Sequence, residues 1–163
     1  MPRSFIVFNG ASPTAAAQVP VATGTAIKTM LQVAVPATTP ITLVEWGISF
    51  NGSAAATPGT VELIQTDVAA STGTAVTPTV YDDPNSVASL CIGGAALTCF
   101  GPTAEGTITA VRVFDAQLIA PTNQYVKQFP LGREPQVIAG KFLRIRVTFA
   151  ATVNAICYVV YEE

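Results

Sequence analysis

The chain has 163 residues, of which 50% are hydrophobic and 11% charged; none is histidine, and the formal net charge is −2. The charged share is less than half of the ~25% typical of soluble domains. This length is typical of a single domain that buries a core without metals or disulfides. The weak negative charge excludes a general nucleic-acid footprint, and without histidine neither Ser-His-Asp nor Cys-His catalysis can exist.

Runs with a period of two residues follow one another along the chain, separated by Gly, Pro and Asn turns. The first run, 4–8, ends at Asn9-Gly10, and a Pro- and Ala-rich connector continues to residue 24. The run 153–161 is almost wholly apolar, which predicts a strand that is central in its sheet or buried at a subunit contact. The remaining runs are 25–35, 41–50, 61–66, 75–81, 86–92, 107–115, 123–129 and 142–149.

About nine short strands and no convincing helix predict an all-β fold, a single β-sandwich. The count of roughly eight core strands favours jelly-roll-like connectivity, although a sequence does not give strand order. We expect residues 1–24 to form an N-terminal strand and an extended arm, and residues 25–163 to form the sandwich.

The three cysteines have no metal-ligand spacing. Cys91 and Cys99 flank a glycine-rich segment that could bring them together, so a disulfide and two free thiols are both open. Cys157 lies within the apolar C-terminal run and is expected to be a small core residue.

No other group of residues forms a recognisable catalytic, cofactor or metal site. Asp82 and Asp83 precede Pro84-Asn85, which indicates a turn more strongly than a calcium loop. Paired carboxylates for glycoside hydrolysis lack any supporting pattern. We therefore expect a protein that is not an enzyme, with no catalytic residue, no metal, no cofactor and no small-molecule substrate.

A carbohydrate-binding module would need an exposed aromatic platform. The candidates in this chain are Trp46, Tyr81, Phe100 and Tyr125. Trp46 shares its strand face with apolar neighbours, which favours a place in the core.

Most of the basic residues lie in the last third of the chain. They predict either one basic face for an acidic protein partner or an ordinary solvated sheet face. The residues concerned are Arg112, Lys127, Arg133, Lys141, Arg144 and Arg146.

Four segments resemble small virion proteins encoded among the head and tail genes of tailed bacteriophages: 43–53, 111–118, 124–135 and 154–163. The resemblance spans about residues 40–163 and consists of overall texture and short phrases, not of a catalytic motif. It implies a β-sandwich subunit on the phage capsid, in the manner of decoration (cement) proteins. Such proteins commonly sit as trimers at capsid three-fold positions and brace neighbouring capsomers.

The expected partners are therefore the major capsid protein and further copies of the chain in a homotrimer, with no nucleic acid and no membrane. No signal peptide is visible and no run approaches the ~20 apolar residues of a membrane span. We expect synthesis in the host cytoplasm and a final place on the capsid surface of the virion. The expected contacts with the capsid or with adjacent subunits are Arg3, Phe5, Val7, Arg112, Arg133, Arg144 and Arg146.

Two alternatives remain open. Another phage structural role, such as a head fibre base, a tail component or a jelly-roll capsid subunit, fits the same texture. A carbohydrate-binding module fits the fold class but needs the aromatic platform described above.

Overall fold

The computed structural model describes residues 2–11, 13–53 and 55–163, and these residues form β-strands and no helix. In chain order the strands are β1 (Ser4–Phe8), β2 (Val21–Ala22), β3 (Lys28–Ala34), β4 (Ile41–Phe50), β5 (Gly59–Thr66), β6 (Thr74–Ala75), β7 (Thr79–Val80), β8 (Cys99–Phe100), β9 (Val111–Ile119), β10 (Gln124–Gln128), β11 (Gln136–Val137), β12 (Phe142–Thr148) and β13 (Asn154–Glu162).

The long strands pair as a nested set. The first, β1, pairs with the last, β13; inside that pair β3 pairs with β12, β4 with β10, and β5 with β9. All four pairs are antiparallel, so the chain follows the path of one long hairpin. The hairpin closes on itself because β13 also pairs with β4, and β12 with β5.

This pairing produces two antiparallel sheets. Sheet A has the order β10-β4-β13-β1-β7, with β11 added beside β4 and β2 beside β13. Sheet B has the order β6-β8-β3-β12-β5-β9. The prediction of an all-β sandwich is confirmed, and β13 is the central strand that its apolar sequence predicted.

The core lies between the two sheets and is built from alternate residues of the long strands. Sheet A contributes Phe5, Val7, Trp46 and Tyr161, and sheet B contributes Leu63, Leu143, Ile145 and Val147; each is at most 1% exposed. Full burial of one such side chain stabilises the fold by roughly 1.5–3 kcal/mol. The inward-facing rows account for most of the sandwich's stability.

Three predicted strands are wrong in place, and one of them, 75–81, is strand only at Ala75 and at Thr79–Val80. Residues 86–92 form bends, because the Glu163 carboxylate accepts hydrogen bonds from the backbone N–H groups of Leu90 and Cys91. The strand predicted at 107–115 begins only at Val111, because the Asp67 carboxylate accepts the N–H groups of Thr109 and Ala110. In the segments 86–92 and 107–110, a carboxylate distant in sequence accepts hydrogen bonds from backbone N–H groups that would otherwise pair with a neighbouring strand.

The predicted N-terminal arm is largely part of the sandwich. Strand β1 pairs along its whole length with β13, and β2 pairs with the start of β13. Of the predicted 1–24 segment, Met1 and Ser12 lie outside the described residues, and residues 13–17 are exposed loop. The division at residue 24 therefore does not separate an arm from the sandwich.

Candidate protein-binding face

The outer face of sheet B is covered by loops of the same chain. Gln32 of β3 donates from Nε2 to the Leu97 carbonyl at 2.7 Å and accepts at Oε1 from the Ala70 N–H at 2.8 Å. These bonds fix the segments around residues 70 and 97 over the sheet. The part of this face over β3 and β12 is therefore covered, whereas its β9 edge, with Val111, Val113 and Leu118, is exposed.

Arg144 of β12 completes the cover of sheet B. Its guanidinium is fully buried and donates to the Val68 carbonyl and to the Glu105 carbonyl, the latter at 2.9 Å. The Glu105 carboxylate lies 3.2 Å from Arg144 Nη1 and also accepts from the Thr29 N–H and hydroxyl at 2.6 and 2.7 Å. Burial lowers the pKa of Arg144, and the charge of Glu105 opposes that shift.

The expectation that Arg144 contacts a capsid or a neighbouring subunit is thus corrected, because its side chain has no exposed surface. Phe5 and Val7 require the same correction. Both are 1% exposed and point into the core of their own subunit, since they occupy the inward positions of β1.

The outer face of sheet A carries a row of partly exposed apolar side chains that spans four adjacent strands. We call it the open face and define it by Ile6, Phe8, Val126, Ile156 and Tyr158. Val126 is 54% exposed, and the other four are half-buried.

The cross-strand register places one continuous row on the open face. Phe8 of β1 lies opposite Tyr158 of β13, which lies opposite Gly47 of β4, which lies opposite Val126 of β10. The rings of Phe8 and Tyr158 pack at 5.6 Å between centroids. An apolar ridge therefore crosses four strands.

Gly47 leaves room for the Tyr158 ring because it has no side chain. A Cβ at position 47 would lie 2.6 Å from Tyr158 Cε1, so only glycine lets the ring lie flat over β4. The Tyr158 hydroxyl donates to Glu45 Oε1 at 2.5 Å. Burial and this bond raise the pKa of Tyr158, so the hydroxyl remains a neutral donor. The Glu45 carboxylate therefore has a hydrogen-bond partner within the chain.

An apolar outer row is unusual for a sheet that faces water, where outward positions are mostly polar. Four strands at ~4.8 Å and five residues at ~3.4 Å give the open face an area of roughly 300 Å². A standard interface buries about 800 Å² on each partner. The open face is thus suited to be the centre of a protein contact whose rim lies on the surrounding loops and sheet edges.

The remaining predicted contact residues are accessible but do not form one basic face. Arg146 pairs with Glu62 at 2.9 Å and is partly buried. Arg3 and Arg133 are exposed at separate loops. The exposed Arg112 donates to the Gln136 carbonyl at 2.8 Å and lies 4.9 Å from the centre of the Phe114 ring.

A polar cluster closes the side of the sandwich between β9 and β10. Asp115 accepts from Gln117 Nε2 and from the Tyr125 hydroxyl, each at 2.9 Å, and lies 3.3 Å from Lys127 Nζ. Burial alone would raise the pKa of Asp115, but the two hydrogen bonds and the Lys127 charge outweigh it and lower that pKa. Lys127 is therefore neutralised within the subunit.

The candidate aromatic platform for carbohydrate is not assembled. Trp46 is completely buried and packs on Tyr125 at 5.4 Å, which confirms its core position. Tyr125 and Phe100 are partly buried against the core, and Tyr81 is 61% exposed.

The metal-ligating side chains in the described part of the chain do not come together in one centre. Residues 2–11, 13–53 and 55–163 contain no cluster of three metal-ligating side chains and no helix able to cross a membrane. Cys91, Cys99 and Cys157 are free, buried thiols, so the Cys91–Cys99 disulfide left open by the sequence is not formed.

Sequence reasoning missed the open face, although a signal for it was present. Strand β1 is apolar on both faces: Phe5 and Val7 point inward, and Ile6 and Phe8 point outward. Strand β13 repeats this pattern around Tyr158. Two adjacent strands with two apolar faces indicate a sheet that is covered on both sides.

Comparison of the chain with protein-family models, with curated proteins and with solved structures gave no match.

Proposed function

We propose that the protein is a structural virion subunit of the decoration (cement) type, which binds the outer shell of a tailed-phage head and stabilises it. The observation that carries the proposal is the open face, an apolar ridge that crosses four strands of sheet A, whereas loops cover the central strands of sheet B. Burial of such a patch against another protein is the main source of affinity in stable assemblies.

The strand order supports the same role. The four long strands β10-β4-β13-β1 lie against β3-β12-β5-β9, and consecutive long strands alternate between the sheets except for β5 and β9, which pair at the tip of the nested hairpin. We infer that this is jelly-roll connectivity, which occurs in viral capsid domains as well as in lectins.

The proposed mechanism is mechanical and involves no chemical step. The open face would lie on the capsid, and the low charge of the row keeps the desolvation cost of that contact small. Bound copies would link neighbouring capsomers and raise the free energy needed to separate them. The partners are the major capsid protein and further copies of the chain, and the proposed place is the capsid surface.

The proposal is tested by co-sedimentation of the purified protein with undecorated heads assembled from the major capsid protein of the same phage. We expect saturable binding and heads that resist heating to a higher temperature than bare heads. An unrelated protein of similar size is the control. Absence of binding at micromolar concentration would contradict the proposal.

A different location in the virion is the second candidate, because a fibre base, a tail component or a capsid subunit could use the same sandwich. Gold-labelled antibody against the protein, applied to intact virions, separates these roles. Label spread over the whole head supports decoration, whereas label confined to the tail or to fibre bases supports the alternatives.

A further inference from the structure

Charged residues without an ion-pair partner lie at opposite edges of sheet A. One edge is formed by β10 and β11 beside β4, and the other by β7. Four strand spacings of ~4.8 Å separate β10 from β7, or roughly 19 Å. The two edges carry charges of opposite sign.

The first edge, here called the basic edge, consists of Leu131 and Arg133 on the turn after β10, Ile138 after β11, and Arg112 of β9 and Lys141 just before β12, which bond to the backbone at Gln136 and Ile138. Leu131 is 97% exposed and Ile138 is 53% exposed. A groove of about 650 Å³ lies between Arg112 and Ile138 and is also lined by Glu134, the one carboxylate there. The basic edge thus carries three cations and two exposed aliphatic side chains.

Leu131 is held outward by a rigid turn. The Arg133 N–H donates to the Pro130 carbonyl at 2.9 Å, and Gly132 has φ of +78°. These are the features of a type II turn with glycine at its third position. A fully exposed leucine on a preorganised turn binds a partner with little loss of conformational entropy.

The second edge, here called the acidic edge, consists of Asp82 and Asp83 after β7, Glu162 and Glu163 at the end of β13, and the groove beside Glu163. Asp82 accepts from the Ser4 and Asp83 N–H groups at 3.2 and 2.7 Å, and these bonds lower its pKa. The groove has a volume of about 260 Å³ and is lined by Thr39, Val87, Ala88 and Leu90, with Glu163 and Arg3. Val87 and Leu90 are 58% and 52% exposed.

We propose that the basic edge of one copy binds the acidic edge of a second copy of this chain. Leu131 would enter the groove between Val87 and Leu90, and Arg133 would approach the carboxylates of Asp82 and Asp83. Among the described residues, Arg3 is the cation of the acidic edge; its charge helps to lower the pKa of Asp82, and the four carboxylates outnumber it.

Because the two edges are different surfaces, the contact is heterologous and each copy can use both. Such a contact closes into a ring when the rotation between copies allows it. The open face takes no part, so every copy in the ring keeps it free. The inference deepens the proposed shell-binding role and rests on it in one respect, since a ring would bind a shell with several open faces at once.

Sedimentation velocity on the full-length protein, without capsids, tests the contact. Arg133→Glu and Asp83→Lys should each raise the dissociation constant of the oligomer about tenfold, because each places like charges face to face. The combined variant R133E/D83K restores an opposite pair and should return the constant to within about threefold of wild type. Leu131→Ser should dissociate the oligomer, whereas Val19→Ser, at a position 73% exposed outside both edges, should not.

Circular dichroism of each variant separates dissociation from unfolding. A wild-type protein that stays monomeric at high concentration would overturn the inference, as would an oligomer unaffected by both charge reversals. A monomer that still binds heads would overturn the edge contact alone. A ring that fails to bind heads would overturn the shell-binding proposal alone.

Discussion

Two arginines on one strand illustrate how position within the sandwich decides the role of a residue. Arg144 and Arg146 share the outer side of β12, each with a glutamate partner. Arg144 lies under the loops of sheet B and is fully buried, whereas Arg146 lies near the end of the strand and is partly exposed. The pattern of β12 predicted their shared side, but the burial of Arg144 depends on loops distant in sequence.

Replacement of the two arginines should therefore have unequal effects. Arg144→Met leaves the half-buried Glu105 without its cation, and loss of one partner of a buried pair costs about 3–5 kcal/mol. Arg146→Met breaks a partly exposed pair, for which about 1 kcal/mol or less is expected. Urea denaturation of both variants measures the difference in the free energy of unfolding. Equal losses would show that Arg144 contributes no more to stability than a partly exposed ion pair.

Protonation of several carboxylates at low pH should destabilise the fold. The Thr109 hydroxyl and the Ala110 N–H lower the pKa of Asp67 to about 2, and the pKa values of Asp82 and Asp115 are also lowered. These groups bind protons more readily in the unfolded chain, so they stabilise the fold above their unfolded pKa of ~4. That contribution is lost as the pH falls through the folded values.

Thermal unfolding followed from pH 8 to pH 2 should show this dependence. We expect a nearly constant melting temperature from pH 8 to pH 5, because the chain has no histidine to titrate there, and a fall from pH 4 to pH 2. Asp67→Asn should have a shallower fall. A variant that follows the wild-type curve would show that Asp67 is not among the groups responsible.

At the scale of the elements, most long strands were predictable, with β9 as the exception, and the short ones were not. The periodic runs gave β1, β4, β12 and β13 within a residue or so, because their inward rows are apolar. The two-residue strands form only where a neighbouring strand supplies backbone hydrogen-bond partners. The order of the strands depends on contacts distant in sequence, for which one chain carries no signal.

The N-terminal strand should be essential for folding, and the loop after it should not. Removal of residues 2–8 deletes Phe5 and Val7 from the core and exposes the edge of β13, so we expect an insoluble or unfolded product. Replacement of residues 13–17, all exposed, by Gly and Ser should change the melting temperature by only a few degrees. Solubility and circular dichroism measure both, and a folded truncation would restore the idea of a detachable arm.

The three thiols provide a test of the packing around their strands. Cys91, Cys99 and Cys157 are completely buried, and burial raises the pKa of Cys91 to about 12. A thiol reagent such as DTNB should therefore react with none of them in the native protein and with all three in denaturant. Reaction of a single thiol in denaturant would instead indicate a Cys91–Cys99 disulfide.

At the scale of the whole molecule, the two outer faces differ in a way that the sequence signals only in part. The apolar outward residues of β1 and β13 can be read from the strand pattern. Their continuation to Val126 follows from the register, since the Tyr158 ring lies over Gly47 of β4 and Gly47 lies opposite Val126 of β10. The cover over sheet B is not visible in the sequence, because its loops are anchored by hydrogen bonds from two side chains, Gln32 and Arg144, that lie far from them in the chain.

The central claim is that the open face binds the capsid, and one pair of matched variants tests it directly. Val126→Glu places a charge on the edge strand of sheet A within the open face, and Leu118→Glu places one on the edge strand of sheet B outside it. Both positions are exposed, at 54% and 76%, so neither change should disturb the core. Co-sedimentation with undecorated heads should show at least tenfold weaker binding for V126E and wild-type binding for L118E. Equal binding by the two variants would contradict the claim.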